Sequence, residues 1–331
     1  MSVRYLDGHE RVADSCEPLV KASDRGDVQL RAVARHQYPG VRIPEGCLPG
    51  VLSAGSWSAI GRQSWGLPWH RNEGLELTWI SRGTVPFAVD DQRFELEPGH
   101  VTITRPWQRH RVGDPTLPPN ELAWLILEVS GHRPNEDWDW PPWIALAPAD
   151  LDRLTARLRQ NETPVVPGSV ALGAAFRQLM HLARRAEPLL LESALRLAVN
   201  QLLLALLETL DAQDMPMDAS LSSVDRTVRL FLDDLRGHIA HQWTLGEMAS
   251  RCGLGRTQFA VYCWRLTNRT PIGYLVQCRV ERAAELLSGT DRPVTEIAFE
   301  CGFQSSQYFA RTFRREFGCS PTAFRLRPAA A

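Results

Sequence analysis

Gln307, Arg311 and Arg314 share one face of a helical pattern that runs to Phe317. Arginine offers a forked set of donors, and glutamine a donor beside an acceptor. Both suit hydrogen bonding to base edges or phosphates. Arg256, Thr257, Ala260, Val261 and Trp264 share the outward face of an earlier helical pattern. The tryptophans carry a different chemistry. Nine of the eleven lie within residues 57–143, which concentrates them in one part of the chain. Aromatic walls with a few polar groups make a pocket for a sugar or another small organic compound. About half of these rings are expected to be plain core.

The elements that must position these side chains come as a repeat. One copy reads LGEMASRCGLGRTQFAVYCWRLTNRTP from Leu245 to Pro271, and the other VTEIAFECGFQSSQYFARTFRREFGCSP from Val294 to Pro321. At an offset of 49 they share Glu247/Glu296, Ala249/Ala298, Cys252/Cys301 and Gly253/Gly302. After one extra residue in the second turn they share Phe259/Phe309, Ala260/Ala310, Arg265/Arg315 and Pro271/Pro321. Each copy reads as helix, glycine turn, helix, the arrangement that presents a helix to a DNA groove. Thr244 with Glu247 forms a capping box, and Ser305 is a good N-cap. Phe259, Tyr262 or Cys263, and Leu266 form the inner stripe of the first copy. Phe309, Phe313 and Phe317 form that of the second. Residues 271–289 contain no breaker after their first turn and read as one long helix joining the two copies.

Upstream, residues 50–130 read as short strands between turns, which suggests a small β-barrel or sandwich. LELTWI (75–80), PFAV (86–89), QRFEL (92–96), HVTIT (100–104) and ELAWLILEV (121–129) are the clearest. Helical spacing follows at 151–160, 170–186 and 189–210. The last has the broad apolar stripe Leu191, Leu195, Val199, Leu202, Leu203, Leu206 and Leu210, which needs a partner inside the chain or in a second copy. Polar residues break this run, so a buried or dimerising helix is expected and not a membrane span. The expected organisation is an arm over 1–45, a sensor over 46–132, a linker with a helical dimerisation segment over 133–220, and a DNA-binding domain over 224–327.

Charge follows the same division. Residues 226–331 hold 15 Arg against 9 Asp and Glu, a net +6, and the rest of the chain is −7. A basic tail on an acidic body fits nucleic-acid binding at one end. The seven Cys include no CxxC pair and read as reduced core residues of a cytoplasmic protein. The N-terminus is charged and lacks an apolar signal core.

YLVQCRVERAAELL, then VTEIAFECGF, then YFARTFRREFGCSP resemble the DNA-binding domain of AraC/XylS-type transcription regulators, over about Val224 to Arg327. The resemblance implies two recognition helices in successive major grooves, about one helical turn apart. It puts Arg256, Thr257, Ala260 and Val261 at bases in the first groove, and Ser306, Gln307 and Arg311 at bases in the second. Arg311 suits guanine and Gln307 adenine. Arg265, Arg314 and Arg315 fall at phosphates. The first copy departs from the common pattern at Val261, Cys263 and Trp264. It is expected to read largely by apolar contact, for example with thymine methyls.

His70-x-Asn72-x3-Glu76-x6-Gly83 resembles the first cupin motif, with Asn72 where a second histidine is usual. Pro98-Gly99 followed by Pro106-Trp-Gln-Arg-His110 is similar to the second. Such a barrel, common at the N-terminus of AraC-type regulators, implies a pocket with His70, Glu76 and His110 facing in, and Trp69 and Trp107, each within three residues of one of those histidines, are expected to line it. In a metal-binding cupin His70, Glu76 and His110 would be the ligands, a set suited to a divalent transition metal. No cofactor is expected, because sensor cupins of this kind commonly lack the metal.

The expected fold is therefore an N-terminal cupin-like β-barrel, a helical dimerisation segment and a C-terminal all-α double helix-turn-helix. The expected function is transcription regulation, not catalysis, with operator DNA and a small-molecule effector as partners. A second copy of the chain, and RNA polymerase if the protein activates, complete the partners, and no membrane is expected. The alternatives are a metal-dependent cupin enzyme, a dioxygenase or isomerase, fused to a DNA-binding tail, and a barrel that only dimerises.

Overall fold

The computed structural model describes residues 16–36, 38–106, 108–130, 133–184, 192–213 and 215–326, with the backbone of 3–6 and 10–13. The chain divides into two compact units, Met1–Ser222 and Ser223–Ala331.

In the first unit β1 (Val3–Leu6) and β2 (Glu10–Ala13) form a hairpin, followed by α1 (Glu17–Asp24). Next come β3 (Val28–Ala34), β4 (Val41–Arg42), β5 (Val51–Ala59), β6 (Leu67–His70), β7 (Leu75–Gly83), β8 (Val85–Val89) and β9 (Gln92–Leu96). β10 (His100–Thr104), β11 (His110–Val112), β12 (Asn120–Leu127), α2 (Pro148–Arg159), β13 (Val165–Pro167), α3 (Val170–Ala183) and α4 (Glu192–Asp211) complete it. A seven-stranded sheet has the order β13-β10-β7-β12-β5-β3-β4, and a four-stranded sheet the order β6-β11-β8-β9. One apolar core joins them, with Trp57, Ile80, Trp124 and Ile126 from the large sheet and Phe87, Val89, Leu96 and Val112 from the small one.

The side chains of β7 alternate in the expected way. Glu76, Thr78 and Ile80 share the face toward the barrel interior. Leu75, Leu77 and Trp79 share the other face, where Trp79 stacks on Phe176 of α3 with ring centroids 5.9 Å apart. Helix α3 thus covers the outer face of the sheet. This explains why β12 reads as an almost unbroken apolar run: Leu122 through Leu127 are all buried.

The 1–45 arm is corrected by the structure. Within it β3 pairs with β5 over seven residue pairs, and Leu19, Ala22 and Tyr38 are buried in the barrel core. Apolar content there is modest, but the ladder with β5 satisfies its backbone. The apolar stripe of α4 turns inward. Leu195, Val199, Leu202, Leu203, Leu206 and Leu210 are all buried, while Leu197 and Leu204 face solvent. Leu191 lies outside the described residues. α4 is long and apolar enough to cross a membrane by length and composition, but it packs against α3 in this unit. The segment after α4 is docked on the same unit. Met217 bridges Asn161, and the amide of Asp218 donates to the carbonyl of Gln160 at 2.8 Å.

The second unit is helical: α5 (Val224–Leu235), α6 (Leu245–Arg251), α7 (Arg256–Thr267), α8 (Pro271–Gly289), α9 (Val294–Glu300), α10 (Ser306–Phe317) and α11 (Pro321–Arg325). Thr244 and Glu247 make the capping box at α6, and Ser305 caps α10. Gly253 and Gly302 sit at φ 65° and 83°, the left-handed turn conformation that glycine takes without strain. Two separate cores form. Val228, Met248, Ala249, Phe259 and Cys263 build the first, and Ile297, Ala298, Phe303, Phe309 and Phe313 the second. Helix α8 serves both, giving Tyr274, Leu275 and Cys278 to the first and Val276, Val280, Ala283 and Leu287 to the second.

Candidate functional site

On α7 the buried positions are Phe259 and Cys263, so the opposite face carries Arg256, Thr257, Val261 and Trp264 outward. Val261 is 61% and Trp264 55% exposed, which is unusual for large apolar side chains on a helix with a core to bury them in. Ala260 lies at the edge of this face. On α10 the buried Phe309, Thr312 and Phe313 leave Gln307, Arg311, Arg314 and Arg315 exposed, with Ser306 and Ala310 half-buried beside them.

These basic side chains differ in what they touch. Arg256, Arg311 and Arg314 form no ion pair among the described residues. Arg265 is paired with Asp225 at the start of α5 and lies over the Tyr262 ring at 4.6 Å. Arg315 lies against Glu316 of the next position at 3.2 Å. Arg256, Arg311 and Arg314 therefore keep all their donors for an outside acceptor, while Arg265 and Arg315 must first give up a carboxylate.

In the barrel, β6, β7 and β11 bring His70, Glu76 and His110 together. His70 and His110 are cross-strand partners with ring centroids 4.2 Å apart. The three residues can each offer a ligand atom within 4.8 Å of the others. Glu76 is well supplied with donors. His110 Nε2 lies 2.9 Å from Oε2, Asn72 donates its amide to the same oxygen, and the Thr78 hydroxyl donates to Oε1 at 3.2 Å. Asn72 is in turn held by the Tyr38 hydroxyl, which donates to its Oδ1 at 3.3 Å. The carbonyl of Gln108 lies 3.1 Å from His110 Nδ1, and that of Pro68 2.7 Å from His70 Nδ1.

Burial alone would raise the Glu76 carboxyl, but the hydrogen bond and charge of His110, together with His70, hold it below the usual range. Desolvation and the neighbouring His110 push His70 down to about 4, so its imidazole is neutral at neutral pH. A neutral His70 imidazole beside an ionised carboxylate can receive a cation or a hydroxyl-rich ligand. Thr104, directly across from Glu76 in the sheet register, adds a hydroxyl that is buried and has no hydrogen-bond partner among the described residues.

The tryptophans divide. Trp57 and Trp124 sit in the core, 6.0 Å apart, with their indole N–H groups donated to Asn120 and Ser53. Trp65 meets Trp57 edge-on. Trp69 is turned away from the triad and lies between the guanidiniums of Arg109 and Arg111, at 4.5 and 5.0 Å. Strand alternation explains this: Trp69 adjoins His70, and Arg109 and Arg111 flank His110, so all three point to the other face of the small sheet. Trp107 lies outside the described residues. Trp138 and Trp140 pack on α2, where the Trp140 indole donates to Thr155 at 2.8 Å. Tyr38, Thr78 and Thr104 were not marked by any motif. Thr78 lies two positions from Glu76 on the same strand, whereas Tyr38 and Thr104 reach the site from segments distant in sequence.

Residues 248–327 match the helix-turn-helix domain family, and residues 59–199 match the AraC-like ligand binding domain family. The chain is 30% identical over 262 residues to the HTH-type transcriptional activator RhaS of Klebsiella pneumoniae (strain 342), covering 78% of this chain and 87% of that protein. It is 24% identical over 260 residues to the activator RhaR of Mannheimia succiniciproducens, covering 78% of this chain and 87% of that protein. Among solved structures it is similar to the DNA-binding domain of AdpA in complex with a target DNA. That similarity is at 32% identity and a TM-score of 0.29, covering 30% of this chain and 88% of that one.

Proposed function

We propose that this chain, which belongs to the AraC family of DNA-binding transcriptional regulators, reads two successive major grooves with α7 and α10 and answers to a small effector held in its barrel. The observation that carries the reading is the pair of outward faces on α7 and α10, mounted on two cores that share α8. Ser306, Gln307 and Arg311 contact bases in one groove, and Arg256, Thr257, Ala260 and Val261 in the other. Arg265, Arg314 and Arg315 meet phosphates and position the protein. Arg265 and Arg315 do so by exchanging Asp225 and Glu316 for the DNA backbone.

The effector is a sugar or another small organic compound, held by His70, Glu76 and His110 with Thr104 beside them. The orientation of Trp69 favours an outer role for that residue. The exposed Leu197 and Leu204, seven residues apart on α4, support a homodimer through that helix. RhaS and RhaR are named as activators, which supports RNA polymerase as a partner if this chain activates as well. The protein works in the cytoplasm, where its operator lies.

Mapping of binding sites across the genome tests the whole reading. A shared two-box sequence upstream of a few operons is the expected outcome. Uniform, sequence-independent occupancy would end it.

The clustering of His70, Glu76 and His110 favours one second reading: a divalent metal in the barrel, bound by two imidazoles and one carboxylate. Bound there, it would supply a positive charge that polarises an effector oxygen. Asn72 would orient Glu76. Catalysis by a metal-dependent cupin, as a dioxygenase or isomerase, depends on this reading. Elemental analysis of protein purified without chelator, beside His70→Ala and His110→Ala, decides it. Stoichiometric metal lost in both variants supports it, and metal-free wild-type protein removes it.

A further inference from the structure

Two readers on one helix have a fixed distance but not yet a fixed angle. The two cores of the DNA-binding unit share no residue, and α8 runs through both. A helix resists stretching, but it bends and lets packed bundles roll about it. Holding the angle requires contact away from the α8 axis.

Arg279, in the middle of α8, makes that contact. It is 8% exposed and has no carboxylate partner among the described residues. Its Nε donates to the carbonyl of Ile239 at 2.8 Å and its Nη2 to that of His241 at 2.7 Å. Ile239 belongs to the first core. The same segment touches the turn of the second copy, where Gln242 donates its side-chain amide to the carbonyl of Gly302 at 2.9 Å. Gly302 is pressed against this assembly. A Cβ there would stand 2.7 Å from the Ile239 carbonyl oxygen and 2.9 Å from both Ala240 Cα and Arg279 Nε. Arg279, Gln242 and Gly302 thus tie the lead-in of the first helix-turn-helix to the turn of the second. One other strut joins α10 to the turn after α7, Arg269 to Glu316 at 3.3 Å, but it is partly exposed and correspondingly weak.

We propose that Arg279 is a positioning residue that sets the rotational phase between the two DNA readers. It touches no base. A guanidinium that spans two carbonyls is suited to this, because its planar fork fixes a direction as well as a distance. The proposal rests on the two-groove reading above and adds the residue that enforces its geometry.

The test uses the full-length chain and duplexes selected by it from random DNA. These duplexes are then remade with one base pair inserted or deleted between the two boxes. Each insertion turns one box relative to the other by about 35°. Wild-type protein should lose affinity by about tenfold or more on each change, comparable to a base mismatch. Arg279→Gln should lose much of that spacing penalty while keeping near wild-type affinity for a single box. Arg279→Lys, with one compact charge, should fall between. Gln242→Ala removes the companion bond from an exposed side chain, so it should loosen the spacing preference without threatening the fold.

A wild-type spacing penalty in folded Arg279→Gln and Gln242→Ala would overturn the proposal. So would loss of single-box binding in step with two-box binding. A wild-type protein indifferent to spacing would remove the two-groove reading itself, and this proposal with it.

Discussion

Arg311 and Arg265 carry the same charge on equivalent helices, but one is free of ion pairs among the described residues and the other is tied to Asp225. Arg311→Ala should cost about 1–3 kcal/mol and relax selectivity at one base pair, as measured by binding to a panel of single-base operator variants. Loss spread evenly over all sequences would assign Arg311 to phosphate. Arg265→Ala should weaken binding evenly and reduce the dependence on salt. The cysteines give a second expectation at this scale. Cys252, Cys263, Cys278 and Cys301 are buried, and none of the seven cysteines is in a disulfide. Burial, and then the charge of Glu300, push Cys301 up to about 11, and burial raises Cys263 and Cys278 as well. A raised thiol pKa means less thiolate at neutral pH, and thiolate is what reacts. Thiol reagents should therefore label Cys16 and Cys319 first and the buried four only on unfolding, at rates that rise with pH. Mass mapping of early adducts on the buried four would contradict this. The reduced core cysteines were legible from their apolar helical positions. The grouping of Glu76 with His110 was legible from the two cupin-like motifs, but Tyr38, which holds Asn72, and Thr104, across from Glu76, were not, because they come from segments far from Glu76 in sequence.

The helices of the DNA-binding unit could be read almost residue by residue. Their signals are local: a capping box, Ser305, two turn glycines, and phenylalanines four apart. Phe313 is fully buried and touches the rings of Phe309, Phe317 and Phe324. Phe313→Ala should cost about 3–5 kcal/mol, melt the second half of the unit, and be seen by circular dichroism as an earlier transition. The strands were harder. β6, β11 and β13 are three or four residues long, too short for a period to show, yet two of them carry His70 and His110. β3 was hidden in what reads as a polar lead, because its backbone is satisfied by a ladder with β5 that forms only on folding. The stripe on α4 was visible, but sequence could not say which partner covers it. The structure supplies α3 and leaves Leu197 and Leu204 outside. For the proposed dimer through α4, replacing both with Arg should shift sedimentation from dimer to monomer while the melting temperature stays within a few degrees.

At the scale of the whole molecule, the charge division in the sequence anticipated two units, and a chain of contacts inside the first leads from the barrel to its exit. The carbonyl of Gln108 faces His110, and its side-chain oxygen accepts from the amide of Arg105 at 3.1 Å. The buried Arg105 guanidinium donates to the carbonyls of Arg159 and Asn161 at 3.2 and 3.1 Å. Met217 and Asp218 dock on this same turn. Arg105→Gln should free that segment, and limited proteolysis between residues 211 and 222 should speed up while operator binding persists. Unchanged cleavage would mean that the segment is held by other contacts. Helix α8 has a consequence of its own. Because its turns are divided between two cores, neither half of the DNA-binding unit can open fully without exposing amides that the other half protects. Its backbone amides should be the slowest of that unit to exchange with deuterium, with α9–α11 and α5–α7 as separable, faster cooperative blocks on either side.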